Sequence, residues 1–170
     1  AWGQAQFLEL WDPTHVDFLI GSLGEPHFGL SEEHWGSLAE NVDLVLHCGA
    51  WVHSILPYST LKSANVVGTL DLIRLCSTGR PKAFHFVSTA GVLRGVVEDE
   101  KELPMSSNVH PVLEQIGGYS QSKWVAERLL MEAYKRGLQC SISRPSRIFP
   151  HSKTGYWNEN DFLILLLQGI

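Results

Sequence analysis

The chain has 170 residues, 44% of them hydrophobic and 18% charged, which is globular material of about one domain and excludes a disordered segment. Its net charge of -5, with no run of Lys or Arg, gives no basic footprint for nucleic acid or a membrane surface. No apolar run approaches about 18 residues, and the opening AWGQAQFLELWDPT has neither the cationic start nor the apolar core of a signal peptide, so a soluble, cytoplasmic protein is expected. Cys48, Cys76 and Cys140 are odd in number and widely spaced, each in or beside an apolar run, as buried free thiols are in a reducing compartment.

In chain order, residues 1–11 read as the tail of a helix that Pro13 ends, followed by a short strand over His15 to Ile20 and the turn Gly21-Ser22-Leu23-Gly24. Ser31 with Glu32 and Glu33 opens a helix to about Glu40. Val42 to His47 is a near-continuous apolar run of strand length, the pattern of a strand covered on both faces, and it ends at the small residues Cys48-Gly49-Ala50. A helix is predicted from about Tyr58 to Cys76, with Leu61, Ala64, Val67, Leu70, Leu72, Ile73 and Leu75 on its buried side and Asn65 inside it. Ala83 to Val87 is the next strand, ending at Ser88-Thr89; a long polar loop covers Gly95 to Ile116. It runs into a helix carrying Tyr119 and Lys123, in which Val125, Leu129 and Leu130 form the apolar stripe and Lys123, Glu127 and Arg128 are polar. Leu138 to Ser143 is a fourth strand, Arg144-Pro145-Ser146 a loop at its end, and Asp161 to Gln168 a further helix.

Strand and helix alternate throughout, so the fold class is α/β with a parallel sheet, whose ligands gather beyond the carboxyl ends of the strands. Gly49-Ala50, Ser88-Thr89 and Arg144-Pro145 fall there, as does Tyr119 on the helix after the third strand. Tyr119 and Lys123 are four apart and share one helix face; an ammonium fixed beside a phenol lowers the phenol's pKa, which makes Tyr119 a candidate proton donor. His47, His53 and His85 lack ligand-type spacing with a Cys or carboxylate, so no metal site is expected.

The stretches GSLGEPHFGLSEEHW, LVLHCGAWV, LPYSTLKSANVVGT, FHFVSTAGV, GGYSQSKWVAERL and ISRPSRIFPHSKTGYWNENDFL resemble the extended short-chain dehydrogenase/reductases. Among these the likeness is to the terminal thioester reductase domains of nonribosomal peptide synthetases, aminoadipate reductases and carboxylic acid reductases, and it runs over nearly all 170 residues. The resemblance implies a Rossmann-like doubly wound sheet and reduction, with NADPH, of an acyl or peptidyl thioester carried on the phosphopantetheine arm of a carrier domain. The product would be an aldehyde, in some cases an alcohol. In this reading Thr89, Tyr119 and Lys123 are catalytic: Thr89 bonds the substrate carbonyl, Tyr119 protonates or stabilises the oxyanion, and Lys123 holds the nicotinamide ribose and lowers the Tyr119 pKa. Ser22, Leu23, Gly49, Ala50, Asn65, Ser88, Pro145 and Ser146 are the matching cofactor-side positions. Asn65 ties helix to active site, and Pro145 with Ser146 flanks the nicotinamide. Lys153-Thr154-Gly155 with Asn158 matches the substrate-side loop.

The sequence also departs from that pattern. The first strand, its Gly-x-x-Gly-x-x-Gly turn and the helix that binds pyrophosphate are absent, and most of the C-terminal substrate part is missing, so residues 1–170 are expected to be a partial reductase domain. In the order 3-2-1-4-5-6 the strand over Val16 to Ile20 would have no neighbour, and the isolated chain would bind NADPH weakly or not at all. Ser22 stands where Asp is usual, Cys48 where Asn is common, and Ser146 and Pro150 where Gly is frequent. The alternative function is a truncated noncatalytic module that keeps a docking surface for a carrier domain.

Overall fold

The computed structural model describes residues 16–94, 116–158 and 161–169. The chain forms two compact units, Ile20–Ser146 and a second comprising Ala1–Leu19 and Arg147–Ile170. In the first, the Ser31 hydroxyl accepts a hydrogen bond from the His34 amide and caps α1 (Glu32–Asn41), with Glu32 and Glu33 in its first turn. After β1 (Leu44–His47), α2 (Tyr58–Lys62) continues through a π-helical turn (Ser63–Val67) into α3 (Gly68–Cys76). Then come β2 (Ala83–Val87), α4 (Gly118–Lys135) and β3 (Cys140–Ser143). The three strands lie in the order β1-β2-β3, all parallel, with His47 opposite Phe86 and Val87 opposite Ser143. Parallel neighbours need long crossovers, and α2 to α3 and α4 supply them.

β2 is the centre of the core because its side chains alternate: Phe84 and Phe86 are buried against Ile73 and Leu75 of α3 and Ala126 and Leu130 of α4. Each of those rings contributes about 1.5–3 kcal/mol by leaving water. At the other end of β2, the buried Lys82 ammonium donates to the carbonyls of Ala39, Thr78 and Arg80, which fastens the end of α1 to the start of the strand.

The helix at Ser31, the strand at Ala83 to Val87 and the helix from Gly118 form as the patterns predict; other expectations fail for physical reasons. β1 is not covered on both faces: Leu44 and Leu46 are 58% and 62% exposed, since α3 and α4 pack on the opposite side of the sheet. No strand forms over residues 16–20; among the described residues the sheet consists of β1, β2 and β3. The π turn adds a residue to its helix, so Ala64, Asn65 and Val66 are buried in succession, and Val67, expected inside, is 39% exposed. On α4 the buried side includes Lys123 and Glu127, two residues expected on the polar side. Cys48 is exposed, Cys76 buried and Cys140 partly buried. The helix expected over residues 1–11, and the loop from Gly95 except Ile116, lie outside the described residues.

In the second unit, Asp161 caps α5 (Phe162–Gln168) by accepting from the Leu163 and Ile164 amides. The His151 carbonyl accepts from Gly155, whose φ of +68° closes the turn around Lys153 and Thr154. Among the described residues no helix is long and apolar enough to cross a membrane.

Candidate active site

The carboxyl ends of the three strands form one rim, knitted by backbone bonds. The Ser88 amide donates to the Ser143 carbonyl at 2.7 Å and the Ala90 amide to the Pro145 carbonyl at 2.9 Å. Thr89 caps the short 3₁₀ turn Ala90–Leu93, its hydroxyl accepting from the Gly91 amide at 3.2 Å. A Cβ on Gly91 would stand 2.5 Å from the Ser120 hydroxyl, so the Thr89 turn lies directly against the residue after Tyr119. Gly118 brings α4 in from the other side: a Cβ there would collide with the backbone of Leu56, Pro57 and Tyr58. Thr89 and Tyr119 are thereby held at the same rim.

Lys123, one turn beyond Tyr119, is 2% exposed, and its Nζ stands 4.0 Å above the centre of the Phe86 ring. Burial lowers its pKa to about 8, against the opposing pull of Glu127 and Cys48. Tyr119 behaves differently from the expectation. Burial raises its pKa, the opposite of the lowering expected from Lys123. The phenol therefore keeps its proton at neutral pH, as a donor must.

On the other flank, Ser22, Leu23 and Ala50 line one open cavity of about 310 Å³ with Gly24, Trp51, Ser63 and Ala64. A Cβ on Gly49 would come within 3.1 Å of a Leu23 methyl, a tight contact that a small shift of the Leu23 side chain would have to relieve. Opposite, the Phe28 carbonyl, in a segment where His27 and Phe28 take left-handed φ of 48° and 59°, accepts from the Ser22 amide. A larger hollow of about 790 Å³ lies at the amino ends of the strands, around Asp43, Pro81 and Leu138, away from all these residues.

Asn65 is a tie within the protein. Its amide donates to the Trp51 carbonyl at 3.1 Å and the Ser122 hydroxyl at 2.9 Å, and its Oδ1 accepts from the Trp51 amide at 2.7 Å. Both amide hydrogens are thus used within the protein, and Asn65 links the β1 loop to α4. Ser88 is the reverse case: its hydroxyl is buried and, among the described residues, stands as a buried side-chain polar atom with no partner. Pro145 is half-buried and Ser146 exposed.

Sequence reasoning passed over a buried ion pair. Arg144, after β3, grips Glu127 of α4 through Nε at 3.0 and 3.2 Å and a terminal nitrogen at 2.8 Å, with the side chains 11% and 2% exposed. It fixes the Arg144-Pro145 loop against the helix that carries Lys123. The four-residue spacing of Lys123 and Glu127 was the signal that both share one face. The histidines are likewise engaged: His47 with Thr69, His53 with the Ile55 and Leu56 amides, His85 with Ser141 and Ser143.

Residues 3–170 match the NAD-binding family described as male sterility protein. The chain belongs to that family. Among its relatives is the L-2-aminoadipate reductase large subunit of Penicillium chrysogenum, 42% identical over 173 residues, 94% of this chain and 12% of that protein. A linear gramicidin synthase of Brevibacillus parabrevis is 36% identical over 97% of this chain and 3% of its own length. In three dimensions the NAD-binding-family chain superposes on the terminal R domain from the myxalamid PKS-NRPS biosynthetic pathway with a TM-score of 0.84 and 38% identity, covering 95% of this chain and 42% of that one. The sheet is therefore the Rossmann-like sheet of the extended short-chain dehydrogenase/reductases, present here as three parallel strands. This chain spans 12% of the aminoadipate reductase it matches.

Proposed function

We propose that these residues are the central portion of an NADPH-dependent thioester reductase domain, which releases an acyl or peptidyl group from a carrier domain's phosphopantetheine thiol as an aldehyde. The observation that supports the reading is the Thr89 turn packed against Ser120, the residue after Tyr119, at the carboxyl edge of a parallel sheet, with Lys123 one helical turn further on and a Tyr119 phenol that keeps its proton. Two further features suit a dinucleotide: the Gly49 approach beside the Ser22–Ala50 cavity, and the orphaned Ser88 hydroxyl. Ser22, Leu23, Gly49 and Ala50 would hold its adenosine side, and Ser88, Lys123, Pro145 and Ser146 its nicotinamide side. Bound there, NADPH supplies the hydride for the acyl carbonyl carbon. The Thr89 hydroxyl would orient the carbonyl, and Tyr119 would direct its phenolic hydrogen at the oxygen as negative charge develops; the hemithioacetal so formed then breaks its C–S bond, the hydroxyl proton passing to the departing carrier thiol as the carbonyl re-forms in the aldehyde. Lys123, with a pKa lowered to about 8, still holds its proton for the most part near neutral pH and can support proton replacement on Tyr119. Relatives named for aminoadipate reduction and gramicidin synthesis support a carrier-bound thioester as substrate.

Alone, the 170 residues are proposed to bind NADPH weakly, because they include no glycine-rich pyrophosphate turn. The test uses the longest natural polypeptide that carries them, given an acyl phosphopantetheine thioester and NADPH. Aldehyde formation that falls about 10²-fold or more in both Tyr119→Phe and Thr89→Val is expected. Aldehyde formation unaffected by either change would overturn the proposal, and carrier-domain binding with no reduction would favour a docking module.

A further inference from the structure

We propose that His47 is a positioning residue of this site: it sets the π-helical turn that orients Asn65 and, through Asn65, the backbone at Tyr119. The inference rests on the reading of Tyr119 given above for its link to catalysis, and on geometry alone for the rest.

His47 ends β1, 4% exposed, with its ring edge-on to Phe84 at 6.1 Å and tilted over Phe86 at 5.5 Å between centroids. Its Nε2 is 3.1 Å from the Thr69 hydroxyl oxygen. Thr69 has one hydroxyl hydrogen, and it goes to the Asn65 carbonyl at 2.7 Å. The Thr69 oxygen must therefore accept from His47, which fixes the imidazole as the Nε2–H tautomer. A threonine bonding back to the carbonyl four residues earlier competes with the helical ladder. Here the accepting carbonyl belongs to the turn where the ladder widens, with Thr69 in the first turn of the helix that follows, and the extra residue is what carries Asn65 inward. Asn65 then bonds both backbone groups of Trp51 and the Ser122 hydroxyl, and Ser122 gives its hydrogen to the Tyr119 carbonyl at 2.7 Å.

His47, Thr69, Asn65 and Ser122 are each no more than 4% exposed. Reversing any one bond would strand a buried donor or acceptor, so the chain of bonds has a single direction. An aliphatic residue would pack against Phe84 and Phe86 with no polar atom to desolvate. What the imidazole adds at that place is a donor aimed at Thr69.

The test is made on the longest natural polypeptide that carries these residues, by amide hydrogen exchange with no cofactor or substrate present. The Trp51 amide, held by Asn65 Oδ1, is the reporter, and the Phe84 amide, bonded to the Gln139 carbonyl in the sheet, is the reference. His47→Leu and Thr69→Val should each speed Trp51 exchange about tenfold, the worth of a buried hydrogen bond, and leave Phe84 unchanged. His47→Gln, which keeps a donor near the Nε2 position, should restore Trp51 to within about threefold of wild type. Should His47→Leu fail to fold, the nearly isosteric Thr69→Val and the Gln variant still decide the matter. Unchanged Trp51 exchange in Thr69→Val, equal exchange in the Gln and Leu variants, or ring-nitrogen shifts of the Nδ1–H tautomer would each overturn the relay. In the reductase assay kcat should fall in the order of Trp51 loosening; kcat unmoved while Trp51 loosens would overturn the link to Tyr119. Absence of reductase activity in the wild type would remove the functional reading and leave the exchange result standing.

Discussion

Replacing Lys123 by Met should make this protein more stable while removing its chemistry. The Lys123 ammonium is 2% exposed and its pKa falls from 10.5 to about 8 because burial penalises the charge. That drop corresponds to about 3 kcal/mol against the fold at neutral pH, where the unfolded chain holds the proton at no cost. Met fills nearly the same volume and forfeits the contact with Phe86, worth about 0.5–2 kcal/mol, so a net gain of about 1–2 kcal/mol is expected. For a chain of this length that is a rise in Tm of about 2–8 °C. The sign of the pH dependence is a second check. Between pH 8 and 10.5 the unfolded state binds the extra proton, so wild-type stability gains from Lys123 as pH rises through that window, and the Met variant lacks the gain. Paired melts at about pH 7 and about pH 9.5 measure it as a narrowing gap between variant and wild type. A Met variant less stable than wild type at neutral pH, or a gap that does not narrow, would refute the reasoning.

Other consequences follow from the same geometry. Glu127→Gln leaves the buried Arg144 guanidinium without its counter-charge and should cost about 3–5 kcal/mol in chemical denaturation; a loss below about 1 kcal/mol would show that the pair is dispensable. Gly118→Ala forces a Cβ into the Leu56–Tyr58 backbone, so a loss of about 1–3 kcal/mol is expected along with displaced α4 amide resonances near Tyr119. His47, with its pKa lowered to about 4 by burial and the nearby Lys123 charge, stays neutral in the fold while the unfolded chain protonates below about 6.5. Its contribution is therefore present above about pH 6.5 and is lost as pH falls towards 4, and His47→Gln should flatten that part of the stability profile.

The rim was legible in the sequence because its residues sit at strand ends and at one helical spacing, both of which periodicity reveals. Thr89 at the end of Ala83–Val87 and Lys123 one turn past Tyr119 needed no knowledge of packing. What pattern could not give was the interior of polar residues. Glu127 and Lys123 read as a solvated face, and only Arg144 arriving from β3 and Phe86 beneath make burial of both tolerable. The π turn was invisible for a similar reason: its cause is a hydroxyl, Thr69, answered by an imidazole 22 residues away in sequence. The shift in Tyr119 pKa was misjudged because spacing fixes proximity but says nothing of the water that burial removes.

The most direct measurement is the fate of the hydride. The longest natural polypeptide carrying these residues is given an acyl phosphopantetheine thioester and NADPH deuterated at the nicotinamide C4, and the product is read by mass spectrometry. An aldehyde with one deuterium on its carbonyl carbon, lost in Tyr119→Phe, is the predicted result. Thioester cleaved to the free acid without deuterium, or left intact by a polypeptide that binds NADPH, would contradict the account.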